Sequence, residues 1–394
     1  MNVIEILLFI YFGYISLYSF VLAVAAHFFR SPTFHPADHH HHIGVFIPSY
    51  KEDNVIVDVA RKAITQNYPP DRYDVIVIAD SLKKTTLGML AQLPIKVIEV
   101  SFDKSTKVRS LNKAFELPDQ YDYALILDAD NVMENDFLLK VNSMLSRGCL
   151  AIQAERTSKN STTSMSILDG FSERINNFIY RQGHVAIGLP CSLIGSGMIF
   201  EYSLVKSILA QLDSVGGFDR ELELELIRRK AFIHYAKGAL VFDEKVESTE
   251  VFEKQRTRWL SSQFIYLRKY FNEGMKALFS GNMAMFNSAI LKNIQLPRLV
   301  NIGLLCILVI ATFFFREKLS LSYYPWLLFL VMNVSAILLA IPARLYNIEM
   351  AKSILLLPKL FMKMIRVLFR LRGANKTFIH TPHNVTDSPT NKND

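Results

Sequence analysis

Hydrophobic and polar positions divide the chain into zones of different periodicity. Residues 6–29 run for 24 positions without a charged side chain, about 36 Å of α-helix and long enough to cross a bilayer. A cleaved leader ending near Ala23-Val24-Ala25 is the weaker reading, because no Lys or Arg precedes the run and the run is too long for one. Toward the other end, residues 299–315 and 325–343 form apolar runs of 17 and 19 positions, each containing an Asn and separated by the polar stretch 316–322. They predict a transmembrane hairpin. Between these ends the pattern changes to a β–α rhythm. Strand-like runs at 43–48, 74–79, 95–100 and 124–127 alternate with helical segments at 54–66, 107–115 and 135–145. That alternation predicts an α/β domain, Rossmann-like, with a mostly parallel sheet and helices on both faces.

The resulting order is a transmembrane helix over 1–30, a His-rich linker over 31–42, one large α/β domain over 43–275 and an interfacial segment over 276–298. The membrane hairpin then occupies 299–343, a basic amphipathic helix 344–374 and a disordered polar tail 375–394. The linker contains His39 to His42. Adjacent side chains do not easily converge on one ion, so the run reads as hydrated linker rather than as a metal site.

Composition and charge narrow the partners. A chain of 394 residues that is 51% hydrophobic, with 28 Phe and three Cys, is neither a disordered tail nor a disulfide framework. The cysteines have no zinc-like or redox spacing. The formal charge is +8, and Lys352, Lys359, Lys363, Arg366, Arg370, Arg372 and Lys376 supply seven positive charges in a stretch without an acid. The positive-inside rule makes that stretch cytoplasmic. Three spans then place the α/β domain in the cytoplasm and Met1 outside, in a multi-pass protein of the plasma membrane. Lys359, Lys363, Arg366 and Arg370 follow steps of 4, 3 and 4, one stripe of a helix lying on anionic lipid. With only +1 left for the remaining residues, a nucleic-acid partner is excluded.

In open α/β sheets ligands bind beyond the carboxyl ends of the strands. Here those ends carry Pro48-Ser49-Tyr50-Lys51-Glu52, Asp80 and Asp128-Ala129-Asp130, with no GxGxxG or GxxxxGK[ST] loop. A Rossmann oxidoreductase and a P-loop ATPase are therefore disfavoured. Asp80 by itself reads first as a turn residue or helix cap, and Tyr50 equally as a packed aromatic. Asp128 and Asp130 are more specific. Two carboxylates delivered by one strand repel each other unless a cation such as Mg²⁺ or Mn²⁺, or a cationic ligand, neutralises them.

These segments, with Lys107 and Leu111-Asn112-Lys113, Gly195-Ser196-Gly197, Gly216-Gly217-Phe218-Asp219 and Gln255-Arg256-Thr257-Arg258-Trp259, resemble a membrane-integrated family 2 glycosyltransferase. The similarity is to the branch of cellulose, chitin and hyaluronan synthases, and the QxxRW set after an Asp-x-Asp is its most specific part. It implies a GT-A fold, a nucleotide-diphosphate sugar donor (UDP-linked in this reading), a divalent Mg²⁺ or Mn²⁺, and inversion at the anomeric carbon. It further implies that Pro48, Tyr50, Glu52 and Asp80 line the nucleoside pocket with Lys107 near it. Asp128 would hold the donor sugar or diphosphate and Asp130 the metal. Spacing i, i+3, i+4 brings Gln255, Arg258 and Trp259 to one helical face, where the Arg suits a departing diphosphate. An amphipathic membrane-surface helix would show the same face.

Where such enzymes have Thr-Glu-Asp, this chain has Asp219-Arg220-Glu221. Glu221 is the expected catalytic base, with Asp219 and Glu223 as alternatives and a solvated helix face as the bland reading. Gly195, Ser196 and Gly197 are expected at the acceptor, or are simply a bend. The acceptor is a glycan or a lipid-linked sugar, and a homo-oligomer or an accessory membrane subunit could complete a channel. A polyprenyl-phosphate sugar transferase and a catalytically silent assembly subunit are the alternatives.

Overall fold

The computed structural model describes residues 3–118, 120–213, 216–315 and 321–371. The tail over 375–394, two of the basic residues, Arg372 and Lys376, and most of the polar stretch 316–322 lie outside the described residues. The first apolar run is α1 (Val3–Ala26). Then follow β1 (Ile43–Tyr50), α2 (Ile56–Ala63), β2 (Tyr73–Asp80), α3 (Lys84–Leu90), β3 (Lys96–Val100), α4 (Lys107–Ala114), β4 (Tyr123–Ile126), β5 (Val132–Met133) and α5 (Phe137–Leu145). Next come β6 (Ala151–Ser158), α6 (Ser164–Asn176) continuing through a π-helical stretch into α7 (His184–Ala186), β7 (Met198–Glu201), α8 (Tyr202–Leu209), α9 (Phe218–Arg228) and β8 (Ile233–Asp243). The chain goes on as α10 (Thr249–Phe279), α11 (Met283–Phe286), α12 (Arg298–Phe314), α13 (Tyr323–Ala340), α14 (Ile348–Ile354) and α15 (Leu357–Phe369).

The strands form one sheet in the order β3-β2-β1-β4-β7-β6-β8-β5. Its first half is parallel as expected. The second half corrects the expectation of a mostly parallel sheet: β7 runs antiparallel to both β4 and β6, and β5 antiparallel to β8. Successive strand residues face opposite sides, and the core divides accordingly. Val45, Ile47, Val75, Val77 and Leu125 pack under α2 and α5 on one face. Phe46, Ile76, Ile78, Ala124 and Ile126 pack under α4, α8 and α9 on the other. The reversal of β7 has a local consequence. Ile126 at the end of β4 pairs with Met198 at the start of β7, so the chain entering β7 passes beside the chain leaving β4.

The helices α1, α12 and α13 lie against one another. Of these, α1 and α13 are long and apolar enough to cross a membrane, and α12, at 17 residues, is shorter. Their polar groups turn inward: Asn333 Nδ2 donates to Ser16 Oγ at 2.7 Å and Tyr11 Oη to Asn301 Oδ1 at 3.1 Å. Leu7, Ile10, Ile307, Ile310, Leu328 and Val331 are exposed on the outside.

The basic helix α15 corrects part of the charge reading. It packs on α10 and α12, and its Lys363 ammonium reaches Glu250 at 3.0 Å and Glu253 at 3.3 Å. Lys359 and Arg366 remain exposed. The stripe is thus divided between acids of α10 and the outside.

Candidate active site

Strands β1 and β2 run level, with Tyr50 beside Asp80. Each is followed by a residue in the left-handed region, Lys51 at φ 57° and Ser81 at φ 60°. Such non-glycine positions cost on the order of 1–3 kcal/mol each and tend to mark functional loops. The Lys51 N–H donates to the Asp80 carbonyl at 3.1 Å. Asp53 ties the two loops together, accepting from Lys83 N–H at 2.8 Å and Thr86 Oγ1 at 2.6 Å. Asp80 is 1% exposed. One of its oxygens takes the Ser81 hydroxyl at 2.9 Å, whereas its other buried oxygen and the buried Ser49 Oγ have no protein partner. Glu52 is buried, and Pro48 and Tyr50 are half-buried, Tyr50 with the Lys51 ammonium 5.1 Å from its ring centre.

Beyond β4 the turn Asp128-Ala129-Asp130-Asn131 is held from several sides. The Asp128 N–H donates to Ser196 Oγ at 3.0 Å, Ser196 Oγ to Asn131 Oδ1 at 2.6 Å, and Asn131 Nδ2 to Asp243 Oδ1 at 3.0 Å. Lys159 donates to the Asp130 carbonyl at 3.1 Å, and Asp130 is 6% exposed. Behind the turn, Arg156, Glu173, Arg181, Asp243 and Lys245 form a buried ion cluster. In it the surrounding cations hold the Glu173 carboxyl well below the usual range despite the opposing effect of burial.

Lys107 is the first residue of α4. Its ammonium pairs with the Asp128 carboxylate, donates to the Gly195 carbonyl at 2.6 Å and sits 5.3 Å from the Phe218 ring centre. Asp219 follows Phe218 in the first turn of α9. Burial raises its pKa above the ordinary value, and the nearby Arg220 and Lys107 cations oppose the shift. Burial lowers that of Arg258, opposed by the charges of Asp128 and Asp219. The charges of Lys107 and Arg258 therefore act on both Asp128 and Asp219 beyond the end of β4.

The structure separates Glu221 from this group. Two residues along a helix is roughly 200° of rotation, which turns Glu221 away from Asp219 and onto the later turns of α10. There it pairs with Lys269 and takes hydroxyls from Tyr266 and Tyr270, each at 3.4 Å, beside a distinct cleft of about 330 Å³. Glu223 is also committed elsewhere, to the Leu193 N–H at 3.1 Å and to Lys292 at 2.5 Å.

Gly195 and Gly197 have φ of 86° and 62°. A Cβ at Gly195 would meet nothing within 4 Å, while one at Gly197 would lie 3.0 Å from Val241 Cγ2. Ser196 is fully buried. Its hydroxyl is already engaged in holding the Asp128 turn, accepting from the Asp128 N–H and donating to Asn131.

The QxxRW residues lie on α10 as expected. Gln255 Oε1 is buried and has no partner. The Trp259 ring carries the Arg256 guanidinium at 4.3 Å, and Arg256 donates to Asp169 Oδ1 at 2.6 Å. Gly217, at φ 68°, brings α9 onto α10 so closely that a Cβ there would lie 2.8 Å from Ser262 Cβ. The contact lies two residues before Asp219 and one helical turn after Arg258, whose charges act on each other.

Asp128 and Asp130 present two carboxylates from one short turn. This hard-oxygen set fits Mg²⁺ or Mn²⁺ when diphosphate oxygens complete the shell. Among the described residues, the group of three His, Cys, Asp or Glu side chains that could share an ion is a different one: His39, His41 and Asp122, whose ligand atoms lie within 4.8 Å of one another. It sits at the opposite ends of the strands, and it changes the reading of the histidine run as mere linker.

The roles of Asn131, Ser196, Asp243 and Arg256 in holding this site were not read from the sequence. Their partners are 65 to 112 positions away, and no local pattern announces such pairs.

Residues 40–262 match the family described as "Glycosyltransferase like family 2". Among curated proteins the chain is similar to a beta-monoglucosyldiacylglycerol synthase of Trichormus variabilis, at 24% identity over 231 residues, covering 55% of this chain and 48% of that protein. It is similar also to a probable glycosyltransferase, YdaM, of Bacillus subtilis, at 21% identity over 237 residues, covering 57% and 56%. The chain thus spans about half the length of the curated relatives it matches. Among solved structures it is similar to the mannosyltransferase PcManGT of Pyrobaculum calidifontis, in complex with GDP-Man and Mn²⁺. The TM-score is 0.56 and the identity 14%, covering 92% of this chain and 97% of that one. The likeness assigns the α/β domain with its mixed sheet to the GT-A-like fold.

Proposed function

This chain belongs to glycosyltransferase family 2, and from that premise we propose that it transfers a sugar, with inversion, from a nucleotide-diphosphate donor to an acceptor hydroxyl at a membrane. The observation that carries the reading is that two cations, Lys107 and Arg258, act on two carboxylates, Asp128 and Asp219, beyond the carboxyl ends of the parallel strands.

In this reading the nucleoside lies over the ends of β1 and β2, where Pro48, Tyr50, Glu52 and Asp80 stand. The unpaired buried oxygen of Asp80 suits an N–H or hydroxyl of the nucleoside. Asp128 orients the donor sugar or diphosphate. Asp130, with Asp128, would hold Mg²⁺ or Mn²⁺, which when bound supplies positive charge for the diphosphate.

The Asp219 carboxylate takes the proton of the acceptor hydroxyl as its oxygen bonds to the anomeric carbon. The bond from that carbon to the phosphate oxygen breaks, and its electron pair leaves with the nucleoside diphosphate. Arg258 and Lys107 meet the charge that develops on the departing oxygens. In this reading Asp219 takes the role expected of Glu221, because the charges of Lys107 and Arg258 act on its carboxyl while Glu221 and Glu223 are paired with Lys269 and Lys292, and its raised pKa makes it the stronger base. Gln255 and Trp259 complete the α10 side of the cleft, and Gly195 leaves open space for an acceptor beside it.

A lipid-borne acceptor is favoured over a soluble glycan. The curated relatives named for glucosyl transfer to diacylglycerol support it, as do the outward apolar faces of α1, α12 and α13 next to the domain. We read these three helices as membrane spans, and the QxxRW segment as support for the membrane-integrated branch of the family. The test is to incubate the purified protein in lipid with Mn²⁺ or Mg²⁺ and UDP-, GDP- and other nucleotide sugars, measuring released nucleoside diphosphate. Release from one donor, with the sugar recovered on a lipid, is expected. No release from any donor, with or without lipid, would leave the silent-subunit alternative standing.

A further inference from the structure

At the amino-terminal ends of β1 and β4, opposite the candidate active site, the histidine run is held in place by the domain. Parallel pairing of β1 with β4 aligns Ile43 with Tyr123, which sets the run beside Asp122. The Asp122 N–H donates to the His42 carbonyl at 2.9 Å, and the His42 N–H donates back to Asp122 Oδ2 at 2.8 Å. Buried Asn142 fixes the rest: its Nδ2 donates to the His39 carbonyl at 2.9 Å, and its Oδ1 accepts the His41 N–H at 3.1 Å. Tyr68 Oη donates to the His41 carbonyl at 2.8 Å.

In an extended segment alternate side chains share a face, so His39 and His41 point together, with ring centres 4.8 Å apart, while His40 turns to Tyr68 at 5.2 Å and His42 to Tyr121 at 4.8 Å. His41 Nδ1 lies 3.7 Å from Asp122 Oδ2.

We propose that His39, His41 and Asp122 form a binding site for a transition-metal dication of the Zn²⁺ type, which clips the linker after α1 to the entry of β4, the strand that delivers Asp128. Two imidazoles and a carboxylate suit such an ion, whereas Mg²⁺ and Mn²⁺ favour the all-oxygen set at Asp128 and Asp130. Tetrahedral bonds of about 2.0–2.1 Å put ligand atoms roughly 3.4 Å apart. Closing from 4.8 Å needs only side-chain rotation at His39 and Asp122, both exposed. The backbone is already fixed by Asn142 and Tyr68. Solvent supplies the fourth ligand, and a cleft of about 420 Å³ lined by His35, Asp38 and His39 opens beside the His39 member of the set.

The test is metal titration of the full-length protein in detergent, with Zn²⁺ counted by elemental analysis after dialysis and Co²⁺ used as an absorbing substitute. One Zn²⁺ per chain, a Co²⁺ spectrum of tetrahedral type and a Tm raised by Zn²⁺ are expected. Asp122→Asn, which retains an acceptor for the His42 N–H, should weaken Zn²⁺ binding by about tenfold or more, as should His41→Ala. His40→Ala should leave it unchanged. Equal affinity in Asp122→Asn and wild type, or equal loss in His40→Ala, would reduce the site to adventitious polyhistidine binding and overturn the proposal, as would no stoichiometric Zn²⁺. The readouts are independent of transferase activity, so failure here leaves the proposed function untouched.

Discussion

Asp219 and Glu221 differ by two positions in one helix, and their environments make opposite predictions. Burial raises the Asp219 pKa above the ordinary 3.8. A group whose folded pKa is raised contributes stability below its unfolded pKa and loses it as pH rises through the folded one. At neutral pH the ionised Asp219 therefore costs stability. Asp219→Asn should lower kcat by about 10²–10⁴-fold without lowering Tm, and wild-type kcat/KM should rise with pH through a pKa above 3.8. Glu221→Gln should show the reverse, with kcat near wild type and a lower Tm, because the buried Glu221 holds Lys269. Measured kcat and Tm for both variants decide the base.

Glu173 is a third acid with another outcome. Its folded pKa is depressed, so its contribution is present above the unfolded value near 4.5 and lost as pH falls below it. Glu173→Gln leaves Arg156, Arg181 and Lys245 short of a counter-charge. It should cost about 3–5 kcal/mol in denaturant unfolding, with less acid sensitivity than wild type.

At the scale of elements, the strands and helices of the first parallel half were legible because apolar runs and turn residues recur with local periodicity. The expected segments 43–48, 74–79 and 107–115 fall on β1, β2 and α4. The reversal at β7 was not legible: Met198–Glu201 is four residues long, and its direction is set by pairing with strands far away in sequence. For the same reason the carboxylates at the strand ends could be found in the sequence but the facing of α9 could not. That facing depends on the contact of Gly217 with Ser262. Gly217→Ala adds a Cβ 2.8 Å from Ser262 Cβ at φ 68°, strain of about 1–3 kcal/mol, and should displace α9 from α10. A loss of kcat larger than expected from the fall in Tm, partly restored by Ser262→Gly, is the expected result.

For the whole molecule, the proposed reading asks charge and apolar surface to serve both the candidate site and a membrane. α15 lies between them: Leu360, Met364 and Val367 are buried, Met362 and Phe369 are exposed, and Lys363 bridges to Glu250 and Glu253 at the start of the helix that carries Arg258. Its exposed cations, Lys359 and Arg366, remain available to anionic headgroups. The two groups of charges should therefore respond to different perturbations. Lys359→Glu with Arg366→Glu should abolish any increase in activity on adding anionic lipid to nanodiscs, while leaving activity in neutral lipid intact. Lys363→Glu places a third negative charge beside Glu250 and Glu253. It should loosen α15 from α10, increase proteolysis near residues 345–357 and lower activity in both lipids, with little dependence on headgroup charge. Identical behaviour of the two variants across lipid compositions would mean that α15 acts as a single lipid-facing stripe and that its docking on α10 has no part in the reaction.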